Sequence, residues 1–176
     1  VRRIQRVPES WPVVHLEDQP PAWDGLTVGG HVMHPRRFDL ADLAALGAAV
    51  VTMDFHCVWG WSRPATVWEG VPMARVLEVV RPEAGFVTVG STSGVYSACL
   101  PAADAGRGVL AWARDGVTLA PDAGGPLRFV PPADYWAYKG VKWAGRIEVV
   151  DRFVPGFWEA KVADPVGLVP DDVVRP

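Results

Sequence analysis

The sequence is short of the features that mark several classes of protein. It has only two cysteines, Cys57 and Cys99, in 176 residues. That is too few for a disulfide scaffold, although a single bridge is compatible with the count. It has no excess of basic charge: the formal net charge is -3, which gives no electrostatic case for a nucleic-acid partner. It also lacks a long apolar run. The longest, over residues 44–53, is broken by Gly47 and Thr52 and falls short of the ~20 residues a spanning helix needs. No repeat, low-complexity tract or second-domain linker interrupts the chain, and no secretory signal is legible in residues 1–14. The expected location is cytoplasmic for the chain as given. It becomes periplasmic if an export signal was removed before Val1.

What is present is an ordinary globular balance of 49% hydrophobic and 21% charged residues. At ~150 residues per domain, this predicts one domain over residues 1–176. Two counts are high. There are nine tryptophans, and 18 glycines with 17 prolines make up about a fifth of the chain. Many turns and many flat aromatic surfaces imply a mostly β protein whose loops pack on a core or line a cavity.

Residues 1–24 read as an extended arm. Leu26, Val28 and Val32 suggest a short strand with a break at Gly29-Gly30. Residues 38–48 read as a helix, with Asp39 as N-cap and Asp42 three residues on. Residues 48–55 read as a buried strand that runs into Cys57. The Trp- and Gly-rich stretch 58–70 reads as loop. Met73, Val76, Leu77 and Val80 follow helical spacing between Pro72 and Pro82. From Phe86 the strand period dominates, with a hairpin at Asp115-Gly116 and alternation through Ile147 and Val149. The tail after Glu159 has few large apolar groups and reads as surface.

Two places could carry chemistry. Cys57 sits in Asp54-Phe55-His56-Cys57-Val58-Trp59-Gly60-Trp61-Ser62. A lone cysteine is usually a small buried hydrophobe. A catalytic Cys57–His56 pair is disfavoured because neighbours on a strand point to opposite faces. A zinc site is disfavoured because the other histidines and Cys99 lack ligand spacing. The second place is Gly124-Gly125-Pro126-Leu127-Arg128-Phe129-Val130-Pro131 with Tyr138-Lys139-Gly140-Val141-Lys142-Trp143. On residue type alone it is either a solvated basic face or an anion cradle, in which Arg128, Lys139 and Lys142 supply charge and Gly140 admits close approach to backbone N–H groups.

Five ordered segments resemble the molybdopterin-binding domain shared by sulfite oxidases, assimilatory nitrate reductases and bacterial methionine-sulfoxide-reductase catalytic subunits. They are Trp11-Pro12-Val13-Val14-His15, Asp54 to Ser62 with Trp68-Glu69-Gly70-Val71-Pro72, Gly124 to Pro131, Tyr138 to Ile147, and Pro155-Gly156-Phe157-Trp158-Glu159. The resemblance implies an α+β, predominantly β fold with mixed sheets and a few short helices. It implies a molybdenum–molybdopterin cofactor, with Cys57 as the metal's thiolate ligand. By position it assigns Arg128 and Gly140, Val141 and Lys142 to the pterin and its phosphate, and it places the phosphate end among Arg128, Lys139 and Lys142, with Lys139 standing where sulfite oxidases have Arg. Val14-His15 matches a segment that lies over the pterin, and Thr92 is a further cofactor contact.

The departures shape the functional expectation. Sulfite oxidases follow the cysteine with an Asn-Arg-Arg run, whereas here Trp59, Gly60, Trp61 and Ser62 precede a single Arg63. Ala123 stands where they often have His. The expected reaction is therefore two-electron oxygen-atom transfer, with reduction of an S-oxide or N-oxide favoured over sulfite oxidation. A minimal sulfite dehydrogenase, a non-catalytic cofactor carrier and a cysteine-dependent hydrolase are the alternatives. The chain as given carries no haem domain and no dinucleotide fingerprint, so a separate electron-transfer partner is expected. Trp23, Trp112 and Trp158 are expected to pack in the core, His31 and His34 to lie at the surface, and Cys99 to be buried and structural.

Overall fold

The computed structural model describes residues 3–14, 16, 22–162 and 164–174. Its strands are β1 (Arg3–Ile4), β2 (Leu26–Gly30), β3 (Arg36–Phe38), β4 (Ala49–Cys57), β5 (Trp61–Pro72), β6 (Phe86–Ser91), β7 (Ser97–Pro101), β8 (Val109–Arg114), β9 (Val117–Thr118), β10 (Arg128–Val130), β11 (Ala144–Val150) and β12 (Val173–Val174). The helices are α1 (Leu40–Ala45), α2 (Met73–Val80) and α3 (Ala102–Gly106). One five-stranded sheet has the order β10-β8-β5-β4, with β9 beside β8, a second has the order β3-β2-β11-β6-β7, and β1 and β12 form a two-stranded sheet. The second sheet is mixed, since β2 and β11 run parallel while its other pairs are antiparallel. This is the α+β, mainly β architecture that the sequence implied.

The larger core lies between the sheets. Leu26, Val28, Ile147 and Val149 from one sheet and Leu110 and Phe129 from the other are fully buried there. The amphipathic face of α2 joins them: Met73, Val76, Leu77 and Val80 are all buried, as their spacing requires. At α1, Asp39 accepts from the Asp42 backbone N–H and Asp42 accepts from the Asp39 backbone N–H, which completes the expected capping box. A smaller core, built around Phe55, Trp61, Trp68 and Leu119, borders the functional site.

The structure corrects several expectations. The strand over residues 48–55 was expected to be buried, but in β4 only Phe55 and His56 are buried and Val50 is exposed. Residues 61–72 form β5, the longest strand, where a loop was expected. Their Trp, Gly and Pro content hid the strand, but Trp61, Trp68 and Val71 are buried and β5 pairs with both β4 and β8. β7 and α3 were not anticipated; residues 97–106 show no clear period. The tail is only partly surface, since Val173 is buried and β12 pairs in parallel with β1. Among the described residues, no helix is long and apolar enough to cross a membrane.

Candidate active site

β4 and β5 form a hairpin whose turn is Val58-Trp59-Gly60. Gly60 adopts φ 83° and donates its N–H to the Cys57 carbonyl at 3.2 Å. Cys57 ends β4 opposite Trp61, and His56 lies opposite Ser62. Strand alternation sends the two neighbours apart. His56 is buried and its Nδ1 shares a 2.6 Å hydrogen bond with Ser62 Oγ, whereas Cys57 faces a cavity of about 420 Å³. Burial pushes the Cys57 thiol above its ordinary range, partly offset by a hydrogen bond from the Trp59 backbone N–H. Cys57 and His56 thus face different surroundings and do not form a Cys–His pair.

The cavity's aromatic wall is a cluster. The Trp11 ring lies 5.4 Å from Phe55, 6.0 Å edge-on from Trp61 and 5.8 Å edge-on from Trp68. Trp59 at the turn is 60% exposed, and Val58, Val13, Val14 and Leu16 are exposed around the same mouth. Trp158 also lines the cavity, where a core position was expected. The Gly-Phe-Trp-Glu segment explains its placement. Glu159 is buried and accepts from the backbone N–H groups of Cys99, at 2.9 Å, and Gly156, at 2.6 Å. A Cβ on Gly156 would stand 2.0 Å from the Ser97 carbonyl, so only glycine allows the segment to dock on β7. Trp68, by contrast, is fully buried behind the wall.

The basic cradle divides. Arg128 on β10, Gly140 and Lys142 line the cavity. Arg128 gives one Nη1 hydrogen bond to the Ala123 carbonyl at 3.0 Å, while its buried Nε has no partner. Burial, reinforced by Arg114, pushes its pKa down to about 10, so it stays charged at neutral pH. Lys142 Nζ donates to the carbonyls of Val14, at 3.0 Å, and Asp122, at 2.7 Å. Burial, with Arg128 and Arg114 on the same side of the balance, lowers its pKa to about 8.

Other candidate residues lie elsewhere. Lys139 is 1% exposed and pairs with Glu159, while also donating to the carbonyls of Cys99 and Pro165. Val141 is buried in the large core, and its N–H is given to Phe129. The Gly140 N–H is given to Ala137. Thr92 Oγ1 donates to the Trp143 carbonyl at 3.0 Å and holds that turn in place behind the cavity. His15 lies outside the described residues. Cys99 is buried, and His31 and His34 are exposed.

One cavity cation is absent from the sequence-derived set. Arg114 ends β8 and reaches the cavity wall. Only the pairing of β8 with β5 brings it there; it lies in none of the five segments. Arg75 and Arg107, by contrast, are occupied in exposed ion pairs with Glu78 and with Asp104 and Asp134. Among the described residues, no three His, Cys, Asp or Glu side chains converge as a metal-binding set. The cavity instead offers one thiol, flat aromatic walls, clustered cations and an unpartnered buried Nε. These suit a flat, anionic heterocycle that brings its own metal.

Comparison with known proteins agrees with this geometry. A family described as oxidoreductase molybdopterin binding domain matches residues 12–158. The uncharacterized oxidoreductase YuiH of Bacillus subtilis (strain 168) is 38% identical over 163 residues, covering 88% of this chain and 81% of its own. The protein-methionine-sulfoxide reductase catalytic subunit MsrP of Gluconobacter oxydans (strain 621H) is 29% identical over 166 residues, covering 81% of this chain and 52% of that one. The crystal structure of the sulfane dehydrogenase SoxCD from Paracoccus pantotrophus superposes with a TM-score of 0.64 at 21% identity, over 80% of this chain and 40% of that one. The chain spans about half the length of MsrP and less than half of the SoxCD chain, and the SoxCD likeness concerns the fold alone. With a family match from Pro12 to Trp158 over the same cavity, the chain belongs to the molybdopterin-binding oxidoreductases and uses a molybdenum–molybdopterin cofactor.

Proposed function

We propose that this chain reduces an S-oxide or N-oxide substrate, with Cys57 as the protein's ligand to molybdenum and Arg128 and Lys142 on the cofactor's phosphate. When bound, the cofactor supplies the two-electron chemistry of oxygen-atom transfer. The protein's share is to bind, orient and enclose. Cys57 offers a thiolate once its proton is displaced. Arg128 and Lys142 offer charge-assisted donors to an anion. Trp61 and Trp158 wall the space between, and we take residues 1–176 to act as one domain whose N-terminal arm closes it.

The observation that carries the substrate half is the electrostatics at Cys57. Burial raises its thiol and the Trp59 N–H lowers it, and among the described residues no charged side chain is named with them. A small dianion such as sulfite needs convergent positive charge to offset its desolvation. Here the cations group at Arg114, Arg128 and Lys142, while the mouth beside Cys57 is apolar. A neutral, partly apolar oxide fits that mouth better. The name of MsrP, a sulfoxide reductase, agrees with the reading. Electrons would come from a separate protein partner.

The test is a side-by-side steady-state comparison on molybdenum-loaded protein. Sulfoxide and N-oxide reduction with a reduced viologen dye should give the larger kcat/KM, and NADH alone should support no turnover. If sulfite oxidation with an artificial acceptor wins by a wide margin, the chain is a minimal sulfite dehydrogenase instead.

A further inference from the structure

Arg114 holds an unusual position for an arginine. Its guanidinium carbon lies 4.0 Å over the Trp11 ring and 6.0 Å from the centre of Trp68. It makes no hydrogen bond and no ion pair with any described residue, yet it lines the cavity. Neighbouring Arg63 differs: it also flanks Trp11, at 5.4 Å, but its Nη1 is tied to the Pro8 carbonyl at 2.9 Å. Stacking on indole fixes the plane of a guanidinium and uses none of its five N–H donors. Half-buried Arg114 is therefore oriented while its donors stay uncommitted to the described protein groups, the arrangement that suits a planar fork open to an oxyanion.

We propose that Arg114 is a third anion-holding residue, which grips the phosphate of the bound cofactor together with Arg128 and Lys142 and is aimed by the Trp11 ring. The proposal rests on the reading of this cavity as the cofactor site. Two further observations support it. Arg128 keeps a buried Nε without a partner on the same cavity. And the cations oppose one another: Arg114 helps to lower the pKa of both Arg128 and Lys142, while the nearby carboxylates offset this only in part, Asp122 at Lys142 and Asp115 with Asp122 at Arg114, where burial still leaves the pKa lowered. A phosphate monoester, carrying about -1.5 to -2 charges at neutral pH, relieves that repulsion. Arg114 also stacks on Trp11 of the N-terminal arm while Lys142 holds the Val14 carbonyl, so the groups that would grip the anion also hold the arm.

The experiment uses the full chain from a host that makes the cofactor, as wild type, Arg114→Gln, Arg114→Lys and Lys142→Ala. Pterin fluorescence and molybdenum per chain are followed after dilution, with circular dichroism to confirm folding. Arg114→Gln should lose cofactor about tenfold faster than wild type or more, the scale of one charged hydrogen bond. Arg114→Lys, which keeps the charge but not the fork, should fall between. In a second arm, inorganic phosphate is titrated into the full chain from a cofactor-deficient host by calorimetry, and Arg114→Gln should weaken binding by a similar factor. Retention equal to wild type in Arg114→Gln, with loss in Lys142→Ala, would overturn the role of Arg114 and leave the cavity reading standing. Weaker phosphate binding with full cofactor retention would also overturn it, by moving Arg114 to an anionic substrate. If wild type itself carries no pterin, the cavity reading falls and Arg114 with it. Should Arg114→Gln not fold, Arg114→Lys decides: loss at the wild-type rate overturns the proposal.

Discussion

At Arg128, one Nη1 is bound to the Ala123 carbonyl and the Nε is buried without a partner. An unsatisfied buried donor is costly, so the side chain gains most when an acceptor arrives. Arg128→Ala should remove about 1.5–3 kcal/mol of cofactor binding while preserving the fold, read as lower pterin and molybdenum per purified chain; full content would contradict it. Lys142 gives a pH prediction. Its folded pKa, about 8, lies below the ordinary lysine value of 10.5. Between those values the unfolded chain binds more protons than the folded one, so stability from this group rises with pH across about 8 to 10.5 and is lowest below 8, where Lys142 is charged in both states. In cofactor-free protein, Lys142→Met should flatten that rise in a Tm-against-pH profile; an unchanged slope would contradict it. At this scale the sequence separated Arg128 and Lys142 from the background through their motif. It could not separate Lys142 from Lys139, three residues earlier. The 3-10 turn Ala137–Lys139 sends Lys139 inward to Glu159, and no periodicity announces such a turn. Arg114 was invisible for a different reason: its place depends on strand pairing across the sheet.

The elements were read best where a single period held. α2 and the β8–β9 hairpin follow their apolar spacing and turn residues and lie where that spacing put them. β5 was missed because Trp, Gly and Pro signal turns, while here Gly70 lets β8 approach: a Cβ at Gly70 would stand 2.1 Å from the Leu110 carbonyl. The Gly-Phe-Trp-Glu segment has no period at all; its order comes from one buried carboxylate. Removing Glu159 leaves Lys139 charged and unpaired in the interior, which costs about 3–5 kcal/mol. Glu159→Ala should therefore lower Tm by on the order of 10 °C, and Lys139→Met with Glu159→Leu should recover only part of the loss, because the Cys99 and Gly156 N–H groups stay without their acceptor. A Tm within a degree or two of wild type for Glu159→Ala would show that the clamp does not hold the segment.

For the whole molecule, net charge is a poor guide to the site. The chain is acidic overall at -3, yet Arg114, Arg128 and Lys142 gather on one cavity. Fold and cofactor class were legible because the matching segments run from residue 11 to 159 and most of them converge on this cavity. The thiol at one place and the cations at another make a site whose parts are separable by mutation. The most direct measurement is elemental analysis with a visible spectrum on wild type and Cys57→Ser, both made in a host that supplies the cofactor. Wild type should carry about one molybdenum per chain, and a thiolate-to-metal absorption band. Cys57→Ser should lose the band and turnover while its circular dichroism stays unchanged. A Cys57→Ser protein that keeps both band and turnover would contradict the account.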